Sequence, residues 1–141
     1  MRKDLKTMKR VISALLILCC VMSVSYAADT DDGVMPQYDN IAYIVIAFDI
    51  NDWGSAQATC SVTLYPGYNV SGTLEIQQLN GNTWTSIDSS YDYGTGPAGV
   101  TISLQKYVSH GTYRAKITCN VTNSAGSVVE KVTEYSYIVN Y

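Results

Sequence analysis

The chain has 141 residues, nine basic against 12 acidic side chains and one histidine, for a formal charge of −3 and enough length for one sizeable core. Five of the nine basic residues (Arg2, Lys3, Lys6, Lys9, Arg10) fall in the first ten positions, so the chain from Ala28 onward carries four basic and eleven acidic residues, a net charge of −7. That sign speaks against a nucleic-acid partner or an anionic bilayer, both of which are gripped by clustered Lys and Arg.

The N-terminus has the three parts of an export signal. The basic head is followed by an apolar run from Val11 to Val24, broken only by Ser13 and Ser23, and this is shorter than the roughly 18 to 20 residues that span a bilayer. Ser25, Tyr26 and Ala27 then place small residues before a cut after Ala27. Residues 1–27 are therefore expected to be a signal peptide, and the product secreted or held at the cell surface. Membrane contact is expected only through an uncleaved signal. Cys19 and Cys20 lack the preceding small residue that lipidation needs, since Leu18 and Cys19 stand there. Residues 28–39, "ADTDDGVMPQYD", are acidic and without apolar period, which predicts a flexible leader. Residues 40–141 form the predicted domain.

Strand signals fill that domain. "NIAYIVIAFDIN" (40–51) is almost continuously apolar and β-branched, the pattern of a strand covered on both faces or lying against a neighbouring chain. "NDWG" supplies a turn. In "SAQATCSVTLYPG", Ala56, Ala58, Cys60, Val62 and Leu64 point one way and the intervening polar residues the other. "GTLEIQQL" (72–79), the turn "NGN" and "TWTSIDS" read as a hairpin, with Trp84 as a large core candidate. The stretch "SSYDYGTGPAG" (89–99) is predicted to be the longest irregular loop, followed by the strand "VTISLQ". "GTYRAKITCNV" (111–121) then puts Tyr113, Ala115, Ile117, Cys119 and Val121 on one face and Arg114, Lys116, Thr118 and Asn120 on the other. After "NSAG", a last strand from Ser127 to about Tyr141 changes parity between Val132 and Tyr135, which predicts a bulge. No segment shows a helical period.

Short strands at this spacing predict an all-β antiparallel sandwich or barrel. Cys60 and Cys119 lie on the inward faces of the second and the penultimate strand, 59 positions apart. These are the strands that carry the inter-sheet disulfide of immunoglobulin-type sandwiches, so the expectation is an immunoglobulin-like sandwich of about seven strands with a Cys60–Cys119 bond. Two buried free thiols or an intermolecular bridge are the alternatives.

The chain is also similar, from Tyr38 to Tyr141, to small exported immunoglobulin-like proteins of unknown function from Gram-positive bacteria. The likeness rests on the signal, the acidic leader, "QQL" with its nearby Trp hairpin, "GTYRAK" and "VVEKVT". It implies the sandwich and no reaction. One departure from antibody-type domains concerns Tyr113, which precedes Cys119 by six residues instead of two. Its hydroxyl is thus not required to make the corner hydrogen bond to the backbone of those domains.

Chemistry-bearing constellations are sparse. The single histidine, His110, sits in the turn "SHG", and no nucleophile or metalloprotease motif accompanies it. "DINDWG" gathers Asp49, Asn51 and Asp52, oxygen donors that also suit an ordinary turn, and no metal or cofactor is expected. Asp88 and Asp92 are the nearest approach to a carboxylate pair for a glycan-active hydrolase. Asn69 and Asn120 stand in N-x-Ser/Thr triplets. Eleven tyrosines follow the signal, against one phenylalanine, and tyrosine suits recognition surfaces. The expected function is a non-enzymatic binding module for a protein or glycan, with Tyr91, Tyr93 and Trp53 as contact residues. The alternatives are self-association through the charge-free run "IAYIVIAF" and, less favoured, the hydrolase.

Overall fold

A computed structural model describes residues Gln37–Tyr141. The predicted signal peptide and most of the predicted leader lie outside the described residues. Eight strands follow in order: β1 (Ile41–Ile50), β2 (Ser55–Leu64), β3 (Asn69–Asn80), β4 (Thr83–Thr95), β5 (Val100–Tyr107), β6 (Thr112–Thr122), β7 (Val128–Tyr135) and β8 (Val139–Asn140). They make two antiparallel sheets in a sandwich-like arrangement, one ordered β1-β2-β5 and the other β4-β3-β6-β7, with β8 pairing the start of β6.

Period-two alternation builds the interface between the sheets. From β2, Ala56, Ala58, Cys60, Val62 and Leu64 point inward; from β6, Tyr113, Ala115, Ile117, Cys119 and Val121 do so, all essentially without solvent exposure. Val70, Leu74 and Ile76 of β3, Val100 and Ile102 of β5, and Ile41 and Phe48 of β1 complete the core. Small and large side chains face each other across the layer. Gly72 is an example, because a Cβ there would come within 2.9 Å of Ile102 Cδ1 on the opposite sheet.

Five expectations need correction. Among the described residues the strands number eight, because the last stretch divides into β7 and β8; pairing with β6 is continuous from Val132 to Tyr135, where the parity change predicts a bulge, and the register shift falls instead between Val128 and Glu130, opposite Thr122 and Val121. β3 starts at Asn69, before the predicted residue 72. The stretch expected to be the longest loop is mostly strand: β4 runs to Thr95, its Tyr91 and Tyr93 registered against Thr73 and Ser71. Its alternation was masked by Ser, Gly and Asp, residues with low strand propensity that edge pairing overrides. Of the two readings of β1, cover on both faces within the chain does not hold: it is an edge strand whose outward residues Tyr43 and Val45 are 53% and 55% exposed. Trp84 leaves the core to Tyr113 and Phe48, and lies half-buried on an outer face.

The last leader residues are held in place. The Tyr38 hydroxyl donates to Glu134 at 2.7 Å, while Glu130 accepts from the Asn40 amide at 2.8 Å. Burial, then the bond to Glu134, keeps the Tyr38 phenol protonated well above its usual range.

Candidate functional site

The polar half of each alternating strand forms the two outer faces, and these differ in chemistry. On the three-stranded sheet the outward residues of β2 and β5 are mainly Ser, Thr and Gln, with hydroxyl pairs Thr59–Ser103 at 3.3 Å and Ser61–Thr101 at 3.0 Å. A shallow open depression there is lined by Gln57, Thr59, Ser103, Leu104 and Gln105.

The five-stranded sheet carries charge and aromatic rings outward. Cross-strand register gives rows that run over four strands: Tyr93, Ser71, Asn120, Lys131; then Tyr91, Thr73, Thr118, Thr133; then Ser89, Glu75, Lys116, Tyr135. Tyr91 and Tyr93 are 65% and 73% exposed. Three of the four basic side chains among the described residues, Arg114, Lys116 and Lys131, share this face, whereas only Glu75 of the eight acidic ones does. Glu75 accepts from Lys116 Nζ at 2.8 Å. Burial pushes its carboxyl up, but hydrogen bonds from Lys116 and Ser86 and the Lys116 charge outweigh that and hold it below its ordinary value.

Arg114 is the most constrained of these groups. Its guanidinium carbon lies 4.2 Å from the centre of the Trp84 ring and 4.1 Å from that of Tyr135, so the planar cation is held between two π-faces. Its Nε donates to Gln77 Oε1 at 2.9 Å, and Gln77 is itself buried. Among the described residues no carboxylate pairs with its terminal nitrogens, which leaves a fork of donors whose orientation is already set.

The predicted contact residues do not form one site. Tyr91 and Tyr93 stand together on the five-stranded face, while Trp53, 85% exposed, lies in the β1–β2 turn on the other sheet. That turn is at the end where Tyr107 registers with Ser55 and where Tyr141 stacks on His110 at 4.5 Å. His110 is exposed, as a turn residue should be. Asn51 Oδ1 accepts from the amides of Trp53 and Ser55, each at 3.0 Å, so the Asn51 side chain serves the turn itself. Asp88 faces Lys106 at 3.6 Å. Asp88 and Asp92 are four residues apart on one strand, about 13 Å, which is wider than the about 5 to 9.5 Å that paired glycosidase carboxylates span. Asn69 pairs with Thr122 and Asn120 with Ser71, so both N-x-Ser/Thr triplets lie on the outer face of the five-stranded sheet.

Cys60 and Cys119 are buried and face each other from opposite sheets, as expected, but the structure holds them as free thiols and shows no bond between them. They occupy one layer: Cys60 registers with Ile102 and Cys119 with Gly72, the pair that meets across the core. Burial, then the nearby Cys119, raises the Cys60 thiol to about 12, and burial raises Cys119 to about 11.

Sequence reasoning missed Trp84, Arg114 and Tyr135 as a unit. The alternation in "GTYRAKITCNV" had already turned Arg114 and Lys116 outward, but the partners that fix Arg114 come from β4 and β7, and pairwise register is not written in any single strand. Compared with known proteins, the chain matches no protein-family model and no curated protein.

Proposed function

We propose that this chain is a secreted, non-enzymatic binding module built on an immunoglobulin-like sandwich, in which the outer face of the five-stranded sheet recognises a protein or glycan. The observation that carries the reading is the placement of exposed Tyr91 and Tyr93 on the same face as Arg114, Lys116 and Lys131. Flat aromatic rings give contact area at small entropic cost, and fixed charges give orientation. The strand order β1-β2-β5 against β4-β3-β6-β7 supports the immunoglobulin-like assignment. We further propose that Cys60 and Cys119 are oxidised to a disulfide after export, since they share one layer of the core and the oxidising compartment outside the cytoplasm favours the bond. Saturable binding without turnover in a screen of cell-wall glycans and host proteins, lost in a Tyr91→Ala, Tyr93→Ala double variant, is the expected result. Binding that the double variant retains refutes the assigned face.

A second reading, self-association as a structural surface protein, is favoured by one observation. β1 is an edge strand with Tyr43, Val45 and Ala47 outward and no basic residue in its length. Dilution of the protein alone separates the two readings, because self-assembly lowers its average mass on dilution, whereas a monomeric binding module keeps the same mass at every concentration.

A further inference from the structure

We infer that the ligand of the five-stranded face is an anionic polysaccharide bearing carboxylate groups. This inference rests on the recognition reading above and names its ligand class.

Charge segregation comes first. The described residues carry four basic and eight acidic side chains, a net charge of −4, yet this face holds three of the basic ones and a single acidic one. An acidic domain that gathers its cations on one face repels anions everywhere else and attracts them there. Glu75 neutralises part of Lys116, which leaves Arg114 and Lys131 as the charges available to a ligand.

Arg114 sets the anion's chemistry. A guanidinium whose carbon lies about 4 Å from the ring centres of both Trp84 and Tyr135, with Nε committed to Gln77, has already lost its rotamer freedom. Its remaining edge matches the two oxygens of a carboxylate. The same feature lowers the entropic cost of binding, because the donor is ordered before the ligand arrives.

The shape of the face decides between a polysaccharide and a peptide. Extended peptides add to an open strand edge, and helical or proline-rich ones fill grooves. Here β3 and β6 are paired on both sides, and the face between the edges is a surface of hydroxyls, amides and rings. Tyr91 and Tyr93, alternate residues about 7 Å apart along β4, offer stacking platforms for sugar rings, while Ser71, Thr73 and Asn120 offer hydrogen bonds to their hydroxyls.

The test uses protein recovered from expression of the full sequence, with polygalacturonate, neutral dextran and poly-glutamate as probes in a binding titration. Polygalacturonate is expected to bind saturably and to weaken as salt is raised. Arg114→Ala is expected to weaken it at least tenfold, and Lys131→Ala several-fold. Arg114 is packed, so each variant's melting curve is recorded; Lys131 is exposed on β7, and its variant keeps the test decisive should Arg114→Ala fail to fold. Equal binding to dextran, equal binding to poly-glutamate, or no binding to polygalacturonate overturns the inference. If another ligand is found whose binding needs Tyr91 and Tyr93 but not Arg114 or Lys131, the recognition face stands and its anionic specificity fails. If no ligand's binding depends on any of the four, both fail.

Discussion

The hydroxyl of Tyr113 donates to the backbone carbonyl of Ser109 at 2.8 Å, four residues upstream, from a side chain only 1% exposed. The turn leading into β6 is thereby tied to the largest buried side chain of the core. Spacing to Cys119 gave no reason to require this bond, yet it forms, because the bond is local to the turn and does not depend on the cysteine. Tyr113→Phe keeps the ring and removes the donor. It should lower stability by about 1 to 2 kcal/mol, read as a lower denaturant midpoint with an unchanged slope. A shift within error would show that water replaces the bond at no net cost.

Much of the sandwich was legible because alternation is a local signal. Ala56 to Leu64 and Tyr113 to Val121 declare their inward faces residue by residue, and the structure keeps both sets buried. What the strands could not declare was their partners. Tyr91 and Tyr93 looked like loop residues until β3 paired with them, and Trp84 looked like core until Arg114 gave its ring a cation to cover. The continuous apolar character of β1 hid its edge position, since a strand buried on two faces and a strand with an unpartnered outer face read alike.

Oxidation of Cys60 and Cys119 should be visible as a loss of two hydrogens from the intact mass, reversed by reductant after unfolding. Closing a loop of this length stabilises by about 4 kcal/mol in the chain-entropy model. The pH dependence distinguishes the two redox forms further. In the dithiol, burial holds Cys60 near about 12 and Cys119 near about 11, above the ordinary thiol value near 9. The folded state then binds more protons than the unfolded state above pH about 9, so stability falls as pH rises from there through the folded values. By pH about 11 the loss is about 2 kcal/mol per thiol. The reduced protein should show this alkaline decline and the oxidised protein a shallower one. Identical alkaline limbs for the two samples would contradict the burial described for the thiols.

Two glycines in the sheets face very different obstacles. At Gly94 a Cβ would meet the Gly99 carbonyl oxygen at 1.8 Å and its carbon at 2.5 Å, which is backbone and cannot rotate away. At Gly72 the nearest atom is Ile102 Cδ1 at 2.9 Å, the tip of a side chain. Gly94→Ala should therefore cost about 3 kcal/mol or more, and Gly72→Ala about 1 to 3 kcal/mol. Thermal melts of the two variants should rank in that order. The reverse ranking would mean that the passage from β4 to β5 yields more easily than the core layer beside the cysteines.

Self-association through β1 makes a claim about one side chain. Val45 is 55% exposed on the outer face of an edge strand and registers with Ser61 of β2, so a lysine there stays solvated and the fold keeps its pairing. Its effect on stability should stay within about 0.5 kcal/mol. On a second copy laid against the same strand, the lysine would meet its own counterpart, and like charges brought together without water oppose the contact. Sedimentation over a concentration series is expected to show an average mass that rises for the native chain and stays monomeric for Val45→Lys. A native chain that is monomeric throughout removes the structural reading, and a Val45→Lys variant that still associates moves the interface away from β1.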